Sequence, residues 1–204
     1  ANQHHAPRPT RRAQRLIDMK TPARQMARSA SLFVTCVVDQ FYPEVGESTV
    51  RLLRRLGVEL DFPEGQICCG QPAFNSGFRS DAKPAARRFL ETFKDSPQIV
   101  VPSGSCTAMI RVYYRELFHD DLETARLAIE VGKKTFEFSE FIVDQLGVTD
   151  LAAVLPDRTQ VQGQRVAYHP GCHLNRELGV VSQPITLMDS LQEIELVPFE
   201  QADV

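Results

Sequence analysis

The chain has 204 residues, of which 43% are hydrophobic and 24% charged, and its formal net charge is −3. This is the make-up of an ordinary globular chain, long enough for one core or two smaller ones. It contains no run of about 18 apolar residues, which excludes a membrane-spanning helix.

The charge is unevenly spread. Residues 1–30 hold Arg8, Arg11, Arg12, Arg15, Lys20, Arg24 and Arg28 against the single acid Asp18, a local charge of +6 that leaves −9 for the remainder. So acidic a body is a poor surface for nucleic acid. Segment 1–30 lacks apolar periodicity and reads as a disordered basic leader. No apolar stretch follows its basic residues, so no signal peptide is visible and the expected compartment is the cytoplasm.

The ordered part opens with Ser31-Leu-Phe-Val-Thr-Cys36-Val-Val, an apolar β-branched run that reads as a buried parallel strand. Pro43 suits a helix first turn, and Val50, Leu53 and Leu56 repeat at helical spacing up to Gly57. Residues 58–62 alternate like a strand. Residues 63–77, rich in Gly and Pro around Cys68-Cys69-Gly70, read as a loop. A helix is predicted over 81–94, and 99–102 is a short buried strand. Cys106 stands where a helix carrying Ile110, Tyr113, Tyr114 and Leu117 begins. Further helices are expected over 122–131 and 139–146, and Phe136, Phe138 and Phe141 read as core packing. After a polar linker at 156–164 come a strand at 165–169, a helix at 184–191 and a strand at 194–199. Strands alternating with helices predict an α/β fold with a largely parallel sheet. A weak internal repeat sets Leu52, Leu56, Leu60 and Glu64 against Leu187, Leu191, Leu196 and Glu200, and Cys36 against Cys172.

Five cysteines, at 36, 68, 69, 106 and 172, are an odd number for a disulfide framework. Each of the first four follows a strand, sits in a Gly-bearing loop or opens a helix. In an open parallel sheet such positions converge on one crevice. Gly70, Gly77 and Gly104 would let the backbone approach a bulky group there. A helix start favours the thiolate, the form that binds metal, which suits Cys106. Vicinal Cys68-Cys69 is a poor zinc knuckle and better matched to an iron–sulfur core with several metal atoms. His169 and His173 flank Cys172 and could ligate, donate to sulfur or shape the turn. Asn75 and Ser76 read first as turn residues.

The order Cys36, Cys68-Cys69-Gly70, Cys106, with spacers of 31 and 36 residues, resembles the CCG domain of the heterodisulfide reductases and their relatives. Within that family, Cys68-Cys-Gly-Gln-Pro-Ala-Phe-Asn-Ser-Gly77, Val101-Pro-Ser-Gly-Ser-Cys106 and His169-Pro-Gly-Cys-His-Leu-Asn-Arg-Glu-Leu-Gly179 resemble the branch serving L-lactate oxidation. The resemblance covers about residues 31–204. It implies two similar Rossmann-like lobes in a three-layer α/β/α arrangement, with a first lobe at 31–155 and the start of an incomplete second at 165–204. It implies an iron–sulfur cluster of the [4Fe-4S] type on Cys36, Cys68, Cys69 and Cys106, with Cys172 belonging to a second, incomplete site. The expected role is an electron-transfer subunit working with other subunits of a lactate-oxidising complex. A heterodisulfide reductase-like cluster enzyme, or an iron–sulfur subunit of glycolate oxidase or glycerol-3-phosphate dehydrogenase, is the alternative. Met109 stands where the family pattern has a further cysteine, and a thioether is a weaker, neutral ligand. That keeps zinc open at the first site, and with it a zinc-stapled interaction module. The sequence names neither a catalytic residue nor the electron acceptor, and it carries no nucleotide-binding Gly motif.

Overall fold

The computed structural model describes residues 28–155, 157 and 161–198. The basic arm up to residue 27, part of the predicted linker, and Phe199 and Glu200 at the far end lie outside the described residues.

Strand β1 (Arg28–Leu32) starts inside the segment expected to be a leader and pairs in parallel with β2 (Val58–Asp61), Arg28 facing Val58. Its apolar run promised a strand through Val38, but the strand stops at Leu32. Thr35 is the reason: its side chain accepts a hydrogen bond from the Val38 N–H at 3.4 Å and caps helix α1 (Cys36–Phe41). Threonine next to a free helix end offers the backbone that alternative to the sheet ladder. Helix α2 (Pro43–Arg55), with proline in its first turn as predicted, then leads to β2.

The stretch expected to be pure loop holds a short helix, α3 (Gln71–Asn75), started by Pro72. Helix α4 (Arg79–Phe93) buries Ala82, Ala86, Phe89, Leu90 and Phe93 and leads to β3 (Ile99–Val101), every residue of which is buried. Helix α5 (Gly104–Ala108) runs through a π-helical turn (Met109–Tyr113) into α6 (Tyr114–Leu117). Helix α7 (Leu122–Lys133) is capped by Asp121. Strand β4 (Thr135–Glu137) has no counterpart among the predicted strands, because three residues are too short to show alternation. Glu137 ends it by capping α8 (Phe138–Glu140) in a reciprocal capping box, and a second π-helical turn follows (Phe141–Gln145).

The first sheet has the order β2-β1-β3-β4, and every pairing is parallel. A core on one side gathers Phe33, Phe89, Phe93, Tyr114 and Phe118; the other gathers Leu53, Phe141, Ile142 and Leu151. The sheet is thus the middle of three layers. Strands β5 (Gln164–Ala167) and β6 (Ile194–Val197) form a separate two-stranded parallel sheet. Between them lie a third π-helical turn (His173–Glu177) and α9 (Ser182–Asp189). Leu187 of α9 is buried in the same layer as Leu53 and Phe141, so this second unit packs on the first. Among the described residues no helix is long and apolar enough to cross a membrane.

Candidate metal centre

In the order β2-β1-β3-β4 the chain moves outward in opposite directions from the β1/β3 pair, and open α/β sheets bind ligands at the carboxyl ends beside such a switch point. Cys36 follows β1 and Cys106 follows β3, so both stand there. Cys68 and Cys69 arrive on the loop leaving β2.

Polar side chains brace these segments against one another. Gln66 donates to the Leu32 carbonyl at 2.9 Å and accepts from the Val34 N–H at 3.2 Å, tying the cysteine loop to the outlet of β1. Gln71 donates to the Ser105 carbonyl at 2.9 Å, tying the same loop to α5. The fully buried Tyr114 donates its hydroxyl to the Cys69 carbonyl at 2.8 Å. Gly70 has φ +84°, and a Cβ there would stand 3.0 Å from the Ala82 carbonyl oxygen, so the cysteine loop needs glycine to settle on α4. Gln66, Gln71 and Tyr114 are absent from the sequence-derived site. The two glutamines flank Cys-Cys-Gly at close range, which is the one signal that marks them.

The four thiols come together as two pairs. Cys36 Sγ lies 3.4 Å from Cys68 Sγ, and Cys69 Sγ lies 3.3 Å from Cys106 Sγ. The first pair is half-buried; the second is 1% and 8% exposed. A cavity of about 200 Å³ adjoins Cys36, Cys69 and Cys106, and another of about 430 Å³ adjoins Cys36 and Cys68.

Within each pair one sulfur is favoured as thiolate. Hydrogen bonding from Cys69 outweighs burial and, with the Gly70 N–H and Cys36, brings the Cys68 pKa down to about 5. Cys106 is likewise lowered, first by the Cys69 thiol and then, against its burial, by the Ser103 hydroxyl. Burial and then the neighbouring Cys68 push Cys36 up to about 11, and its bonds to Cys106 and Cys68 push Cys69 up as well. Each pair thus sets a sulfur with a lowered pKa beside one with a raised pKa, and together the four are a soft donor set of the kind iron–sulfur clusters and zinc both take. Tetrahedral zinc with bonds of about 2.3 Å keeps its sulfurs about 3.8 Å apart, so the pairs must spread to hold any metal. Among the described residues no three His, Cys, Asp or Glu side chains surround a common point as a single ion requires. Four thiols gathered at one crevice are nonetheless a donor set whose chemistry fits a metal group.

The remaining sequence candidates are dispersed. Met109 is fully buried in the core that also holds Cys69 and Cys106. Cys172 is exposed and belongs to neither thiol pair. His169 accepts from the Gly171 N–H at 3.2 Å, a turn contact. His173 bonds Glu177 at 3.0 Å, and Glu177 also accepts from the Tyr113 hydroxyl. Asn75 and Ser76 are exposed at the end of α3.

Sheet order and cysteine placement define a CCG-type cysteine-rich domain, and the family model of that domain matches residues 30–111. Lactate utilization protein A of Bacillus subtilis (strain 168) is 50% identical over 165 residues, covering 81% of this chain and 66% of that protein. Lactate utilization protein A of Geobacillus kaustophilus (strain HTA426) is 46% identical over 172 residues, 84% of this chain and 69% of that protein. The chain belongs to the lactate utilization protein A family. It spans about two-thirds of the length of these relatives.

Proposed function

We propose that Cys36, Cys68, Cys69 and Cys106 hold an iron–sulfur cluster, and that the chain carries electrons within a system that oxidises L-lactate. The observation that carries this reading is the delivery of two thiol pairs to the sheet's switch point, together with the family's name. The cluster, when bound, supplies a one-electron carrier. The protein's own part is to keep Cys69 and Cys106 dry, to leave Cys36 and Cys68 within reach of a partner, and to fix the spacing through Gln66, Gln71 and Tyr114. Partner subunits oxidise the substrate and accept the electrons, and the work takes place in the cytoplasm. Segment 165–204 begins a second lobe, and Cys172 is its ligand to a second site.

Zinc at the first site is the second reading. Sγ contacts of 3.3 and 3.4 Å lie closer to the spacing around one ion than to that around a large cluster. Iron and acid-labile sulfide assays on anaerobically purified protein separate the two. Iron with sulfide is expected; zinc without sulfide would replace the electron-transfer reading by a structural one. Cys69→Ser is expected to abolish metal retention and Cys172→Ser to leave it unchanged. Equal losses would mean that Cys172 serves the first site.

A further inference from the structure

We propose that the four thiols, when no metal spreads them, close as two disulfides, Cys36–Cys68 and Cys69–Cys106, and that this pairing blocks metal uptake until it is reduced. The vicinal cysteines are adjacent in the chain, but they are directed to different partners. Cys68 faces Cys36 at 3.4 Å, and Cys69 faces Cys106 at 3.3 Å. A disulfide bond is about 2.05 Å long, so each sulfur has roughly 0.7 Å to move. A bond between adjacent residues would instead twist the peptide that joins them, against its planarity. Gln66 and Gln71 hold the two sides of each pair in register, because they join the loop to the outlets of β1 and β3.

The two pairs differ in access. Cys36 and Cys68 are half-buried and line a cavity of about 430 Å³ beside Phe62 and Gln66. Cys69 and Cys106 are 1% and 8% exposed. Thiol–disulfide exchange needs the attacking sulfur to reach its target, so the outer pair closes first. With glutathione disulfide as oxidant, one protein thiolate attacks and releases one glutathione. The neighbouring thiolate then attacks the protein sulfur of the mixed disulfide and releases the second. Each pair thus loses two electrons and two protons, which leave in two molecules of reduced glutathione. Cys172 has no neighbour in either pair and stops at the mixed disulfide. Sulfur in a disulfide is no longer a thiolate ligand, so the oxidised chain cannot take up metal.

The test uses the full 204-residue chain, stripped of metal with a chelator and held with excess glutathione disulfide under native conditions. Samples are alkylated at intervals and digested without reduction for peptide mass mapping. The Cys36–Cys68 link is expected first and Cys69–Cys106 later, with Cys172 joined to glutathione alone. Uptake of added zinc ions should fall at least tenfold in the oxidised chain and return after reduction. Cys36→Ser should leave Cys69–Cys106 as the single link, and Cys172→Ser, which removes a thiol of neither pair, should reproduce the parental pattern if the first variant fails to fold. A Cys68–Cys69 link, a link from Cys172 to another cysteine of the chain, four persisting free thiols, or undiminished zinc uptake would each overturn the proposal.

Discussion

The four-stranded and the two-stranded sheets start from the same unit: a strand, a cysteine, helical turns and a second parallel strand. They differ in what covers them. In the first, β3 is buried along its whole length, and Ala30 and Leu32 of β1 are 0% and 1% exposed. In the second, three of the four β5 residues are exposed, and Arg165 and Glu195 face each other across the strands as an exposed ion pair at 3.4 Å. Parallel sheets are normally covered on both faces. The first unit obtains its cover from the βα units that follow it. The second leans on the first, with Leu187 in a shared apolar layer, Ser190 accepting from the Leu151 N–H at 2.9 Å and Gln183 donating to Asp144 at 2.8 Å. The cysteines follow suit: four are sheltered at the covered sheet, and the one on the second unit is exposed. Thiol shelter is thus a product of completing the sheet, not of the local cysteine motif.

The largest expected effect is at the covered core. Phe33 is fully buried and meets the Phe89 and Phe93 rings edge-on at 4.8 and 5.7 Å. Phe33→Ala should cost about 3–5 kcal/mol and loosen the outlet of β1 next to Cys36. Val166→Ala, on the half-exposed β5, should cost under about 1 kcal/mol. Urea denaturation of both variants tests the contrast. Similar losses would mean that the second sheet is as much a part of the core as the first.

Much of this contrast is legible in the chain. Residues 99–101 are apolar and β-branched without alternation, which is how a strand covered on both faces reads, and the cysteine spacing marks the site. Residues 194–196 run apolar, charged, apolar instead, which is how a half-exposed strand reads. Gln66, Gln71 and Tyr114 escape a sequence reading because a side chain bonded to a distant carbonyl leaves no periodic trace. Strand β4 escapes by its length. The strand expected through Val38 fails because the threonine cap outweighs β-propensity at the helix start. The seating of α9 on the first unit escapes as well. Leu187 and Leu191 show only that the helix has an apolar face, not which layer receives it.

At Gly104 the two units come into close contact. A Cβ there would fall 2.8 Å from the Leu174 Cβ and 3.4 Å from its Cα, and the latter cannot swing away. Gly104→Ala should therefore push the third π-helical turn off α5 at a cost of about 1–3 kcal/mol. Cooperative unfolding of the first sheet should persist, while hydrogen exchange rises across residues 173–177. Unchanged exchange there would show that the units adjust together and that the dependence is mutual.

The smallest effect concerns the polar clasp between the units. Glu177 accepts from the Tyr113 hydroxyl and bonds His173 at 3.0 Å, and the two rings meet edge-on at 6.2 Å. Partial burial raises the Glu177 pKa, but Tyr113 and His173 together outweigh it, and the net shift is downward. A carboxyl with a depressed pKa in the folded state stabilises that state above its unfolded pKa of about 4.3. It loses this contribution as the pH falls through the folded value. The contacts between the units should thus weaken only below about pH 4.3, seen as faster exchange of the amides at 173–177 while β3 stays protected. Glu177→Gln keeps the shape and one acceptor oxygen but removes the charge, at a cost of about 1 kcal/mol at neutral pH. In that variant the acid-dependent step should disappear. If the step survives unchanged, the clasp is held by the packing of Leu174 over Gly104 and not by the carboxylate.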